Sequence, residues 1–333
     1  MCEVVIDPMV TPGLQRVVSS VIKRLRSRFR GFPACWFIVL TFSWSWGIWS
    51  ILRLNPSLTP FSRAWTYIYV AGLSGPLAGA ILTSFLAYGA DGLQALLARL
   101  FLARTSALWF ALAILLAPAL WMVAERIGRH QPAFGASPIA MLVVWLKMLI
   151  RGGPLTEEIG WRGFLLPLLL GRMNLFRASA IMFPIWALWH LPLWFIPGLP
   201  HHEWSLVLFV LWLAPGTFLF SWFYVKGQGK VWLPILFHTS VNFSLFFSSV
   251  VPAQHNRGFL FLLVVTWMFA GILVLVNRTV WFAQVPVAAE NNSVRNQALS
   301  ADRAEEASKL LYPQKEEAKS RPGFGLLKEP TKN

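Results

Sequence analysis

Long apolar segments, separated by short polar breaks, make up most of the chain between residues 35 and 282. A transmembrane helix needs about 20 consecutive, mainly apolar residues. On this measure the pattern predicts eight spans, at about 35–52, 66–88, 106–124, 138–151, 177–197, 204–225, 231–251 and 258–277. The predicted fold is therefore all-α, a polytopic membrane protein with about eight transmembrane helices.

The two ends of the chain differ from this apolar part. Residues 1–34 are predicted to form a basic cytoplasmic leader that lies on the membrane as an amphipathic helix, and 283–333 a disordered cytoplasmic tail. The formal net charge is +15, but the basic residues flank the apolar runs. That position indicates membrane topology and lipid headgroup contacts rather than a nucleic-acid partner. We expect an intramembrane domain at 35–282 in a bacterial plasma membrane, with both termini cytoplasmic.

The Gly-Gly-Pro triplet at 152–154 interrupts the fourth predicted span, and a second short helix is expected to carry Glu157, Glu158 and Arg162. Non-helical backbone at membrane depth is tolerated only where it is buried in protein or lines a cavity. Only five acidic residues occur between residues 35 and 282, and two of them are these neighbours. Because an unpaired carboxylate is costly in hydrocarbon, the pair predicts a functional site. A purely structural ion pair between Glu158 and Arg162 is the simpler alternative.

Two further spans carry polar groups in apolar surroundings. His190 lies in the fifth span, and His238 and Asn242, four residues apart, share one helical face of the seventh. A single histidine in such a span is usually a hydrogen-bonded packing residue. Polar groups in three separate elements, each costly in lipid, are instead predicted to converge in one polar cavity.

This set of side chains suits hydrolysis of an amide without a covalent intermediate. Glu157 is a candidate general base for a water that His190 shares or orients, while His238 and Asn242 are neutral donors for an oxyanion. No Ser or Thr stands in a nucleophile elbow, which disfavours an acyl-enzyme. Glu157, His190 and His238 are also a ligand set for a catalytic zinc, but the His-Glu-x-x-His signature is absent, so a divalent metal stays an open alternative.

Other polar residues receive simpler interpretations. Lys147, in the fourth span, is interpreted as snorkelling to the interface, with pairing to a site carboxylate left open. His201, His202 and Glu203 could suggest metal ligands. Because they fall between two spans, we interpret them as a solvated turn.

Three motifs stand in order along the chain: Glu157-Glu158-x-x-x-Arg162, then His190 with an aromatic residue four positions earlier, then His238-x-x-x-Asn242. The ordered triple resembles the motifs of the CPBP intramembrane proteases over about residues 138–251. This family includes the type II CAAX prenyl endopeptidases and bacterial relatives also called Abi proteins.

The resemblance implies an eight-span peptidase with a defined division of roles. Glu157 and His190 would activate water, and His238 and Asn242 would form the oxyanion hole. The supporting residues would be Glu158, Arg162 and Trp186, the last standing where the family usually has Phe. The family is traditionally classed with metalloproteases, although a metal-free glutamate mechanism is also argued for it, and the residues here favour the latter.

The expected partners are membrane lipid and a peptide or membrane-protein substrate, and the sequence leaves open whether that substrate is prenylated. Two other classes of function remain as alternatives. One is a transporter or channel that uses the buried polar groups as an ion or proton path. The other is a proteolytically silent membrane protein that acts by binding a partner, such as an immunity protein.

Overall fold

The computed structural model describes residues 12–101, 105–129, 137–253 and 255–283. Within these ranges the chain is helical and has no β-strand, which confirms the predicted all-α class. The first residues of the predicted leader and almost all of the predicted tail lie outside the described residues, so the predicted domain boundaries stay predictions. In chain order the α-helices are α1 (Pro12–Gly31), α2 (Pro33–Leu54), α3 (Arg63–Leu73), α4 (Gly75–Tyr88), α5 (Ala90–Ala98), α6 (Ala107–Gly128), α7 (Pro138–Arg151), α8 (Pro154–Gly160), α9 (Leu166–Leu170), α10 (Leu175–His190), α11 (Leu206–Lys226), α12 (Trp232–Phe247), α13 (Arg257–Val276) and α14 (Arg278–Phe282).

Each of the eight predicted apolar segments contains a helix, but not every helix is long enough to span a membrane by itself. By length and composition, six helical segments of the described chain qualify, and α3 with α4, bent by 45°, makes a seventh if the pair is one span. The six are Pro33–Leu54, Ala107–Gly128, Pro138–Leu170, Leu175–Phe195, Leu206–Lys226 and Arg257–Val276. The predicted number of eight stays a prediction, because it depends on the 16 residues of α12.

Contacts at its two ends show how α12 is placed beside α6. At its start, the backbone N–H of Val231 donates to the carbonyl of Arg99, shortly before α6 begins. At the other end, the indole of Trp121, late in α6, donates to the carbonyl of Val250. The short helix α12 therefore lies alongside most of α6, which is long enough to span a membrane.

The predicted break after α7 is confirmed. Helix α7 ends at Arg151, and α8 begins at Pro154 after two glycines. Helix α8 then packs so closely against α4 that a Cβ on Gly160 would lie 2.5 Å from backbone atoms of Pro76. A π-helical turn, Trp161–Leu165, joins α8 to α9, and Arg99 donates a hydrogen bond to the carbonyl of Gly163 within it. The first polar motif thus sits on a short, tightly held segment inside the helical bundle.

Candidate active site

A cavity of about 510 Å³ brings the predicted catalytic residues together. Among the side chains that line it are Glu157 of α8, His190 of α10, and His238 and Asn242 of α12. Glu157 is 3% exposed, His190 9% and His238 5%, so the polar groups lie inside the protein. The remaining lining is mostly apolar and aromatic, which is typical of a binding cavity with few, fixed polar groups.

Glu157 lies at the start of α8, immediately after the break. Its Oε2 accepts a hydrogen bond of 3.1 Å from the indole Nε1 of Trp186. On the other side, a Cβ on Gly153 would lie 2.4 Å from Glu157 Oε1. Gly153 also has φ +97°, a conformation that side chains rarely adopt. The Gly-Gly-Pro break therefore gives the carboxylate room as well as ending the preceding helix.

His190 ends α10 and is oriented by its own helix. Its Nδ1 lies 2.7 Å from the carbonyl oxygen of Trp186, one turn earlier. A carbonyl can only accept, so Nδ1 carries the proton of this contact. In the neutral ring, Nε2 then holds the lone pair and is the nitrogen available to a ligand.

Glu158 connects α8 with α12 behind the cavity. Its Oε1 accepts from Arg162 Nη1 at 3.1 Å and lies 2.8 Å from His238 Nδ1. Both Glu158 and Arg162 are fully buried. Glu158 thus fixes the second histidine while Arg162 balances its charge.

Two aromatic rings enclose the Arg162 guanidinium. Its Cζ lies 4.4 Å from the ring centre of Trp186 and 4.5 Å from that of Phe220. Such cation–π contacts help to hold a buried arginine in an apolar setting. Trp186 therefore contacts two charged groups. The face of its ring covers the Arg162 guanidinium, and its indole N–H donates to the Glu157 carboxylate.

Asn242 links the cavity to the end of α7. Its Nδ2 donates a hydrogen bond of 3.1 Å to the carbonyl of Gly152. An amide nitrogen has two hydrogens, so one remains for a ligand in the cavity. The same bond gives the non-helical backbone at the break one of the partners that buried backbone requires.

The described residues give no support to the alternative of a metal centre. Within the described ranges, no three His, Cys, Asp or Glu side chains form a group that could hold a metal ion. The predicted metalloprotease class is accordingly not supported.

The interpretation of His201, His202 and Glu203 as a solvated turn is right for two residues and wrong for the third. His202 and Glu203 are exposed, whereas His201 is partly buried and lines the cavity. The His201 ring lies 4.5 Å from that of Trp204 and 5.1 Å from that of Trp194. Burial, with smaller effects of His190 and His202, lowers the pKa of His201 to about 3.

Sequence reasoning also missed two basic contributors to the cavity. The sequence pattern favours snorkelling for Lys147 and indicates no role for Arg151, yet both line the cavity. Both side chains are exposed, and neither makes an ion pair with another described residue. Their spacing of four residues on α7 could have indicated a shared face.

Comparison with known proteins relates the region of the site to one family. A family model described as type II CAAX prenyl endopeptidase Rce1-like matches residues 138–244, which include all three motifs. The chain is 34% identical over 92 residues to CAAX prenyl protease 2 of Methanococcus maripaludis, an alignment that covers 26% of this chain and 34% of that protein. The chain thus matches about a third of the length of this curated relative.

The name Abi, the bacterial origin and the orientation of the termini stay predictions, since neither match bears on them. The apolar helices and the family match together identify an integral membrane protein. Residues 138–244 of the chain are therefore similar to the Rce1-like family of type II CAAX prenyl endopeptidases.

Proposed function

We propose that the chain is an intramembrane endopeptidase that hydrolyses a peptide bond with a water activated by Glu157 and His190. The observation that carries this proposal is the shared cavity, in which a buried carboxylate, two histidines and an amide from three helices meet. Polar side chains are expensive in a membrane protein's interior, and their convergence favours a chemical role over packing. The substrate would be a peptide or membrane protein that reaches the cavity from the bilayer.

Glu157 is the group best suited to take a proton from water. Among the described residues that line the cavity it is the one carboxylate. Its neighbour Glu158 is engaged with Arg162 and His238. The indole of Trp186 orients Oε2 of Glu157. Oε1 lies beside Gly153, in the space that a side chain at that position would fill. His190, with its Nε2 lone pair, would accept the second hydrogen bond of the same water.

Asn242 and His238 are the proposed oxyanion donors, with one change to the role predicted for the histidine. Nδ1 of His238 already donates to Glu158, so a neutral ring has no second proton to give. Donation from Nε2 requires the imidazolium form. We infer that His238 acts as a cation held by the Glu158 carboxylate, while Asn242 supplies a neutral N–H.

Cleavage of a fluorogenic transmembrane peptide by the purified protein in detergent tests this function. General-base catalysis contributes about 10²–10⁴-fold to a rate, so Glu157→Gln and His190→Gln should each lower kcat by that order. The exposed residues Glu203 and His202 give matched controls, since Glu203→Gln and His202→Gln remove the same groups outside the cavity. Unchanged turnover in both site variants would overturn the proposal. Activity in detergent also separates a peptidase from a transporter, which needs two compartments.

A further inference from the structure

Two hydrogen bonds join α2 to the end of α10, where His190 stands. The indole Nε1 of Trp46 donates to the carbonyl oxygen of Trp189 at 3.2 Å. The indole Nε1 of Trp189 in turn donates to the hydroxyl of Ser45 at 2.9 Å. Two consecutive residues of α2 therefore contact one residue of α10, the first through its side chain and the second through its backbone.

The backbone contact bears directly on the proposed catalytic histidine. The carbonyl of Trp189 and the nitrogen of His190 belong to the same peptide group, and peptide groups are planar. The last carbonyls of an α-helix have no partner within the helix, so this one is available to Trp46. The hydrogen bond from Trp46 thus restricts the orientation of the backbone that carries the histidine.

The side-chain contact fixes the aromatic ring beside the same histidine. Trp189 is fully buried, and its ring lies 4.9 Å from that of His190, nearly perpendicular to it. The hydroxyl of Ser45, which accepts from this indole, donates its own proton to the carbonyl of Gly72 at 2.7 Å. Ser45 therefore connects α10 with α2 and with α3, and the Trp189 ring limits the positions that the imidazole can take.

We propose that Ser45 and Trp46 are positioning residues, which hold His190 where it can share the water of the proposed reaction. This inference rests on the proposed peptidase function. Neither residue lines the cavity, so both act through Trp189.

The contacts within α10 cannot do this alone. The bond between His190 Nδ1 and the Trp186 carbonyl lies inside the helix and moves with it. The indole of Trp186 joins the preceding turn of α10 to Glu157, and the contacts from α2 hold the last turn. A catalytic group misplaced by about 1 Å can cost about 10²-fold in rate, so the last turn needs partners outside its own helix.

Two matched double variants of the full-length protein provide the test. Ser45→Ala/Trp46→Phe removes both contacts, and we expect kcat on the fluorogenic peptide to fall about 10- to 100-fold while KM stays within about twofold. The control Trp44→Phe/Ser50→Ala removes the same chemical groups from α2. There Trp44 donates to the carbonyl of Ala71 in α3, and Ser50 donates within its own helix. The control should therefore keep the wild-type kcat.

A second background separates positioning from a general weakening of the fold. The residual activity of His190→Gln no longer depends on where an imidazole stands. Adding Ser45→Ala/Trp46→Phe to it should therefore lower kcat by less than about twofold, because the effects of residues that act through one another are not additive. Changes that only weaken the fold would lower kcat by the same factor in both backgrounds.

A measurement without substrate keeps this inference separate from the peptidase function. In protein labelled with ¹⁵N-histidine, the Nδ1–H resonance of His190 is identified by its absence from His190→Gln. Ser45→Ala/Trp46→Phe should shift this resonance and speed its exchange with water about tenfold, whereas the control should leave both unchanged. If wild-type protein cleaves no peptide and this result is still obtained, the peptidase function fails and the positioning of His190 by α2 stands.

Three outcomes would overturn the positioning role. The first is a wild-type kcat in Ser45→Ala/Trp46→Phe, and the second is an equal loss of kcat with and without His190. The third is a His190 resonance that this variant leaves unchanged. If the double variant does not fold, Ser45→Ala and Trp46→Phe are measured singly, and each should lower kcat by about threefold or more. Wild-type kcat in both single variants would equally overturn the role.

Discussion

Trp186 is the residue on which most of the site's contacts meet. It donates to Glu157, its carbonyl accepts from His190, and its ring covers Arg162. A phenylalanine could reproduce the ring contact, and the backbone carbonyl does not depend on the side chain. Only the N–H to Glu157 is specific to tryptophan.

Replacing Trp186 with phenylalanine should therefore remove one hydrogen bond and little else. Hydrogen bonds to a charged group contribute about 1.5–3 kcal/mol, so Trp186→Phe should lower kcat/KM by about tenfold or more while the thermal midpoint stays close to wild type. Peptide cleavage and thermal unfolding measured on the same preparation check this. A variant as active as wild type would show that Glu157 is oriented without the indole.

His201 predicts a pH effect on stability. Its pKa is about 3 in the folded protein, mainly because of burial, and near 6.5 ordinarily. Between these values the unfolded chain binds a proton that the folded protein does not. Stability contributed by neutral His201 is thus fully present above about pH 6.5 and is lost as the pH falls towards 3.

His201→Phe keeps a ring between Trp194 and Trp204 but cannot titrate. We expect its thermal midpoint to fall less than that of wild type between about pH 6.5 and pH 4. The exposed neighbour provides a control, since His202→Gln should follow the wild-type curve. Parallel curves for wild type and His201→Phe would contradict the prediction.

At the scale of elements, the break between α7 and α8 determines where the site can form. The two glycines end α7 and let α8 begin as a separate helix. The π-helical turn after α8 is a second departure from regular α-helix. Such π-helical turns are frequent at functional sites. This one lies between α8, which carries Glu158, and α9.

Gly153→Ala tests whether the break shapes the site. The added Cβ would lie 2.4 Å from Glu157 Oε1, on a residue with φ +97°. Moving the carboxylate by about 1 Å should lower kcat by about 10²-fold, and the backbone strain should cost about 1–3 kcal/mol of stability. A Cβ on Gly271, within α13, meets nothing within 4 Å, so Gly271→Ala should leave activity unchanged. Wild-type activity in Gly153→Ala would show that the break joins two helices without determining the position of the Glu157 carboxylate.

For the whole molecule, α12 decides the topology. Its 16 residues rise about 24 Å, less than the ~30 Å hydrocarbon core, but it lies alongside α6 and carries both residues of the proposed oxyanion hole. If α12 spans, the loops at its two ends lie on opposite sides of the membrane. With α3 and α4 taken as one span, the number of spans is then eight, which agrees with the prediction that both termini are cytoplasmic.

Single cysteines in a cysteine-free background provide the measurement. Gln228→Cys lies in the loop before α12 and Ser249→Cys in the loop after it, and both positions are exposed. With a membrane-impermeant thiol reagent on intact cells, we expect Ser249→Cys to react and Gln228→Cys to react only after permeabilisation. Reaction of both positions from the same side of the membrane would show that α12 does not cross it.

The helical class, the apolar segments, the break at 152–154 and the residues of the three motifs could be predicted from the amino-acid sequence alone. This is possible because spans need about 20 apolar residues and because charged groups in such segments are costly enough to be informative. Which of these groups contact one another follows from the packing of the helices. The fold pairs Glu158 with both Arg162 and His238, and it places the Trp186 indole in a hydrogen bond with Glu157. It also brings Lys147, Arg151 and His201 to the cavity. These contacts join residues up to 80 positions apart. They depend on how the helices pack, which local hydrophobic patterns do not encode.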